Sequence, residues 1–231
     1  MIKTILITGA SRGIGLETAR SLADSNHQLI ITARTSEPLK EIQNAYPSSV
    51  TYLTADLSKT IDIESIKNHI QSNNVTLHGL INNAGVLINK PFSDQTDEEW
   101  MLQIEINLLA PVRLIRTLLP YFSKDSHIVN IGSMGGFQGS SKFSGLSAYS
   151  ASKGALSILT ECLAAELSDK EISCNCLCLG AVYTEMLQEA FPEFKPPVTA
   201  EEMGTYIADF ILNSHKFYNG KIIPVALNDP E

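Results

Sequence analysis

The chain has 231 residues, with 25 acidic side chains against 17 basic ones and a formal charge of −8. Hydrophobic residues make up 44% and charged residues 18%, enough apolar material for a full core and too much for a disordered chain. The acidic balance argues against nucleic acid as a partner, because a phosphate-backbone binder depends on a basic face.

At about 150 residues per domain, the length suits one large α/β domain over 1–231 better than two. Met1 to Thr8 holds only a short apolar run before Gly9, too little for a signal peptide, and no stretch of about twenty apolar residues occurs for a membrane span. The expectation is a cytoplasmic protein that does not enter membranes. Short β-rich runs then alternate with helical patterns. Lys3–Thr8 reads as a strand, followed by a glycine-rich turn and a helix from Ile14 to Ala23. Gln28–Thr32, a helix over Glu37–Ala45, Val50–Thr54, a helix over Ile61–Gln71 and Leu80–Asn82 continue the alternation. A longer helical region covers Asp97–Leu119, with Pro111 as its expected kink. His127–Ile131, a Gly/Ser-rich loop, a helix over Ala148–Leu167, the strand Ile172–Leu179 and a last strand over Lys221–Val225 complete the pattern. Strands of about five residues between helices imply βαβ units, hence a doubly wound parallel sheet of about seven strands, covered on both faces, in a Rossmann-type fold. Three cysteines, Cys174, Cys176 and Cys178, alternate along the sixth strand, a spacing that suits small core residues in a reducing cytosol better than a zinc site. The fourth is Cys162. The five histidines show no ligand spacing, so no metal is expected.

Two ends of this pattern carry chemistry. Gly9, Ser11, Arg12, Gly13, Ile14 and Gly15 lie in the turn between first strand and first helix. Glycines there let the backbone approach a pyrophosphate seated on the positive helix N-terminus. Where an NAD-binding chain offers an acid to the ribose hydroxyl, at the end of the second strand, this one has Ala33-Arg34. With Arg12, it places two guanidinium groups to receive a 2′-phosphate, favouring NADP(H) over NAD(H). Farther on, Tyr149 and Lys153 stand four apart at the start of a helix and share a face. A phenol titrates near 10, so a neighbouring ammonium that favours the phenolate makes a usable general acid/base.

In chain order, the glycine loop, Asn82-Asn83-Ala84-Gly85 after the fourth strand, Ser133 after the fifth, and Tyr149 with Lys153 make the sequence resemble the classical short-chain dehydrogenases/reductases over nearly its whole length. The resemblance implies an oxidoreductase exchanging hydride between nicotinamide and a carbonyl or secondary alcohol, 3-oxoacyl thioesters and other hydrophobic ketones among them. It implies Tyr149 as catalytic acid, Lys153 as the group that holds the nicotinamide ribose and lowers the Tyr149 pKa, and Ser133 as the donor to the carbonyl. Asn107 matches the position that anchors a water leading from the lysine to solvent. Asp56 and Leu57 match the adenine contact, Asn83, Ala84 and Gly85 the loop beside the adenosine ribose, and Gly180, Val182 and Thr184 the segment at the carboxamide. A homodimer or homotetramer is implied, through the helix Ala155–Leu167 and the helical region before Pro120.

Three departures stand out. Ser133 and Tyr149 are sixteen residues apart, a few more than the family norm, with the excess near Gly139–Phe143. Leu179 replaces a proline before Gly180. The usual Asp-Gly-Gly near the C-terminus is absent, the chain running Val225–Glu231 instead. Met186, Leu187, Phe191 and Phe194 form either an apolar lid, at about 184–200, or a packing contact against the core or a second subunit. An acyl carrier protein as partner requires a local basic patch, for which Lys90, Arg113, Arg116 and Lys142 are the candidates. The competing reading is a catalytically inactive nucleotide-binding relative, sensor or regulatory; it is disfavoured because all four catalytic positions are kept.

Overall fold

The computed structural model describes residues 2–227. The tail Asn228–Glu231, where the missing Asp-Gly-Gly was noted, lies outside them. Strands β1 (Thr4–Thr8), β2 (Gln28–Ala33), β3 (Val50–Thr54), β4 (Leu77–Asn82), β5 (Phe122–Ser133) and β6 (Ile172–Leu179) alternate with helices. The helices are α1 (Gly13–Asp24), α2 (Glu37–Ala45), α3 (Thr60–Ser72), α4 (Asp97–Ile104), α5 (Ala110–Leu118) and α6 (Ser147–Glu166). Two short strands, β7 (Val182–Tyr183) and β8 (Val198–Thr199), flank α7 (Glu185–Ala190); α8 (Ala200–Asn213) and β9 (Ile222–Val225) follow. Seven strands form one parallel sheet in the order β3-β2-β1-β4-β5-β6-β9, while β7 and β8 pair separately.

The alternation of side chains along each strand explains the layering. Ile5, Ile7, Leu29, Ile31, Val129 and Leu177 face α1, α2 and α8, whereas Leu6, Ile30, Leu80 and Ile128 face α3, α5 and α6. Chain order reverses between β1 and β4, which opens a crevice at the carboxyl ends of those strands, the place where such sheets bind ligands. Cys174, Cys176 and Cys178 are fully buried in β6, as core residues should be, but Cys162 is exposed on α6.

The long helical region is interrupted just ahead of Pro111, the expected kink or boundary, which falls in the first turn of α5. Glu105–Leu109 is a π-helical turn between α4 and α5. Proline has no N–H to give to the carbonyl four residues back, which is that of Asn107, and the ladder changes register just ahead of it.

The amino ends of the central strands, opposite the crevice, collect histidines. His27 Nδ1 accepts from Lys3 N and His78 Nδ1 from Thr4 N, each at 3.1 Å. His127 is buried, its Nδ1 3.2 Å from the Ile211 carbonyl and its ring 5.7 Å from that of His215. Burial lowers all four pKa values, with Lys3 adding to the effect, and His127 falls to about 3. The unfolded chain takes up a proton at each ring near pH 6.5, and the folded chain does so only at lower pH, lowest at His127. Folding stability is therefore expected to drop as pH falls below about 6.5, by up to ~1.4 kcal/mol per pH unit from His127 and by less from the part-exposed rings. Urea midpoints measured from about pH 7.5 down to 4.5 check this, and a flat profile would show that the folded rings accept protons freely.

Candidate active site

The glycine turn is fixed by its neighbours rather than by its own contacts. Thr8 Oγ1, buried at the end of β1, accepts from the backbone N–H groups of Asn83 and Ala84 at 3.0 Å each. The Asn83 amide donates back to the carbonyls of Thr8 and Gly9 at 3.0 and 3.1 Å. Gly9 has φ +68°, and a Cβ there would stand 2.8 Å from Ala84 Cα; a Cβ on Gly15 would collide with the Asn83 amide. Two of the motifs thus form one knot across the β1/β4 crevice. Arg12 sits at the N-cap of α1 without a side-chain cap, and no acid lies in the first turn, so the amides at Gly13 and Ile14 face the crevice without a resident anion from α1.

Arg34 follows β2, exposed and without an ion pair among the described residues. Arg12 is different: its Nη1 lies 2.8 Å from Glu189 Oε1 on α7. Asp56 Oδ1 accepts from the N–H and hydroxyl of Ser58 at 3.1 and 2.8 Å, which hold its carboxyl below the usual range, and Leu57 is buried. The Asp56 side chain is thus engaged in the turn before α3.

The other half of the crevice is lined by β5, the π turn and α6. Tyr149 and Lys153 share a face of α6, the ammonium 5.9 Å from the centre of the phenol ring. Ser133 ends β5 with its Oγ accepting from Gly135 N at 3.1 Å. Desolvation raises the Tyr149 pKa and a hydrogen bond with Ser133 opposes it. The expected lowering by Lys153 does not appear, because its Nζ donates to the Ile131 carbonyl at 2.7 Å and is itself pulled down to about 8 by burial. Asn107 is fully buried in the π turn. Its Oδ1 accepts from Val86 N at 2.8 Å, and its Nδ2 donates to Val86 O and Ser152 Oγ at 2.9 Å each. A Cβ on Gly85 would lie 3.2 Å from Asn107 Oδ1 and 3.5 Å from Lys153 Nζ, so the Asn83–Gly85 loop runs beside the lysine.

On the rim, Gly180 N donates to Val225 O at 2.9 Å without help from the missing proline. Val182 is buried, and Thr184 Oγ1 caps α7 by accepting from Leu187 N at 3.3 Å. A Cβ on Gly13 would meet Thr184 Cγ2 at 3.3 Å, so this segment closes on the glycine loop. Met186, Leu187 and Phe191 are half-buried on the excursion between β7 and β8; Phe194 is exposed. The lengthened loop before α6 is held by Lys90 N and Gln95 Nε2, which donate to Gly145 O at 3.0 and 3.2 Å. Of the four basic candidates, Arg116 is exposed with no ion pair among the described residues, and the other three are engaged. Lys90 is paired with both Glu99 oxygens at 3.0 Å, Arg113 is paired with Glu105, and Lys142 Nζ turns to the Phe137 carbonyl at 2.6 Å.

Sequence reasoning missed Thr8, Ser152 and Glu189. Thr8 was visible as a polar residue ending an apolar strand. Ser152 was visible between Tyr149 and Lys153, where its Oγ reaches the Tyr149 carbonyl at 2.7 Å. The Glu189 contact spans 177 positions and left no local signal.

A family model described as short chain dehydrogenase matches residues 3–194. The chain is 31% identical over 222 residues to a fatty acyl-CoA reductase of Acinetobacter baylyi, covering 93% of this chain and 74% of that protein. It is 31% identical over 191 residues to a 3-oxoacyl-(acyl-carrier-protein) reductase of Bos taurus, covering 82% and 79% respectively. A solved short-chain dehydrogenase/reductase of glucose/ribitol dehydrogenase type from Brucella melitensis superimposes with a TM-score of 0.89 at 26% identity, covering 99% of this chain and 97% of that one.

Proposed function

The chain belongs to the short-chain dehydrogenase family, and on that footing we propose that it is an NADP(H)-dependent oxidoreductase acting on a carbonyl or secondary alcohol. The observation that carries the reading is the convergence of Tyr149, Lys153 and Ser133 on the crevice whose other wall is the glycine turn. The site suits a dinucleotide. The α1 N-terminus has no acid of its own, Gly9 and Gly15 leave no room for side chains, and Arg34 stands uncommitted where a ribose-binding acid would otherwise be. Ser11, Gly13 and Ile14 would hold the pyrophosphate end, Arg34 and Arg12 the 2′-phosphate, and Leu57, Ala84 and Gly85 the adenosine side. Val182, Thr184 and Lys153 would hold the nicotinamide end. Bound NADPH supplies the hydride.

The chain's own residues do the rest. Ser133 donates to the substrate oxygen and fixes it beside the Tyr149 hydroxyl. The phenol, kept protonated at neutral pH by its desolvated setting, gives its proton to that oxygen as charge develops there. Lys153, positive below about pH 8, lies 5.9 Å from the phenol ring with its ammonium on the Ile131 carbonyl, and its part is to hold the nicotinamide end. Asn107 holds the Val86 backbone and α6 at fixed separation, which keeps Gly85 beside the lysine.

For the substrate we favour a hydrophobic ketone or an acyl thioester, covered by Met186, Leu187 and Phe191. Pairing of Lys90 and Arg113 with acids makes a free or coenzyme-bound substrate a better match than an acidic carrier protein. Exposed Met101, Leu102 and Ile158 on α4 and α6 support a homodimer or homotetramer.

Fluorescence titration with NADPH and NADH tests the cofactor assignment. Arg34→Ala is expected to weaken NADPH about 10- to 100-fold, the loss of one or two charge-assisted hydrogen bonds, and NADH by less than about twofold. Equal losses for both would show that Arg34 does not read the 2′-phosphate.

A further inference from the structure

The ion pair between Arg12 and Glu189 joins the phosphate-binding turn to the segment that covers it. Both side chains are about half exposed, at 49% and 66%, with Arg12 Nη1 2.8 Å from Glu189 Oε1. Their meeting is set by the frame of α7. Its two flanks are stitched together by the β7–β8 pairing of Val182 with Val198 and Tyr183 with Thr199. Thr184 caps its first turn, and Asn89 Nδ2 donates to the Ala190 carbonyl at its end at 2.9 Å. A second carboxylate, that of Glu185, lies 3.5 Å from the place a Cβ on Gly13 would occupy. Helix α7 therefore brings two acids to an α1 N-terminus that has none in its own first turn.

We propose that Glu189 is a specificity-determining residue, an internal competitor for Arg12 that the 2′-phosphate of NADPH must displace. The inference rests on the NADP(H) reading above. A carboxylate and a phosphate are the two oxyanions that fit a guanidinium fork, and one fork in one orientation serves one of them well. NADPH binding includes the cost of breaking the pair. NADH, with a hydroxyl in place of that phosphate, leaves Arg12 on Glu189 and bears no such cost. Glu189 thus narrows the margin by which NADPH is preferred and leaves NADH binding unchanged.

Fluorescence titrations of both cofactors against the wild type, Glu189→Gln, Glu193→Gln and Arg34→Ala test the proposal. Glu193 is an exposed acid of the same excursion with no ion pair among the described residues, so its variant controls for net charge. Glu189→Gln is expected to bind NADPH about two- to fivefold more tightly, the range of a half-exposed ion pair, with NADH unchanged and Glu193→Gln like the wild type. An equal gain for both cofactors, no gain, or weaker NADPH binding would overturn it. If the wild type prefers NADPH and Arg34→Ala removes that preference while Glu189→Gln changes nothing, the Glu189 proposal alone fails. If the wild type shows no preference, the NADP(H) reading falls and the proposal with it.

Discussion

Tyr149→Phe is expected to lower kcat for carbonyl reduction by about a thousandfold while leaving NADPH affinity within about twofold of the wild type. Phenylalanine preserves the ring, its packing on α6 and the approach of the Lys153 ammonium to its face. What it removes is the hydroxyl and with it the transferable proton. A phenol held above its ordinary pKa is fully protonated at neutral pH, as the acid in a reduction must be. The hydride still arrives at the carbonyl carbon, but the oxygen must then take its proton from water. Steady-state oxidation of NADPH against hydrophobic ketones and acyl-CoA thioesters, with a parallel binding titration, measures both numbers. A variant that keeps more than about a tenth of wild-type turnover would move the acid to another group; one that loses NADPH binding would make Tyr149 a cofactor anchor instead.

The fold was legible because each strand of the large sheet showed an apolar run, although β4 begins three residues ahead of the expected Leu80 and β5 five residues ahead of the expected His127. Lys3–Thr8, Gln28–Thr32 and Val50–Thr54 are apolar runs between turn residues, and each lies within a residue or so of the observed strand. The proposed site was legible in part for the same reason: Gly9, Tyr149 and Lys153 are placed by local geometry, a turn or one helical face, and local geometry is written in spacing. What stayed hidden depends on distant contacts. The two-residue strands β7 and β8 are too short for a period, and only their mutual pairing defines them. The basic candidates Lys90 and Arg113 looked available because the acids that neutralise them, Glu99 and Glu105, lie nine and eight positions away, outside any simple spacing rule. The Tyr149 pKa was misjudged in direction because spacing placed the ammonium near the ring, but only the fold revealed the Ile131 carbonyl that holds it.

Asn107→Ala is expected to cost stability as well as turnover, lowering the melting temperature by about 10 °C. The side chain is fully buried and its three hydrogen bonds all cross between elements, two to Val86 after β4 and one to Ser152 on α6. Alanine leaves the part-buried Val86 N–H and carbonyl without these partners, at up to about 1–3 kcal/mol for each group that water does not reach. In a chain of this length each kcal/mol lowers the melting point by roughly 2–4 °C. Turnover should fall too, since the loop that keeps Gly85 beside Lys153 loses its tie. Calorimetry paired with initial rates separates the possibilities. A variant that melts like the wild type and is inactive would make Asn107 a relay residue alone, whereas a lower melting point with proportionate loss of activity at low temperature identifies it as the brace between the cofactor half and the catalytic half of the crevice. The geometry favours the brace: both Nδ2 hydrogens are engaged by protein and Oδ1 already accepts from Val86 N, so the side chain's hydrogen bonds tie the Val86 backbone to α6.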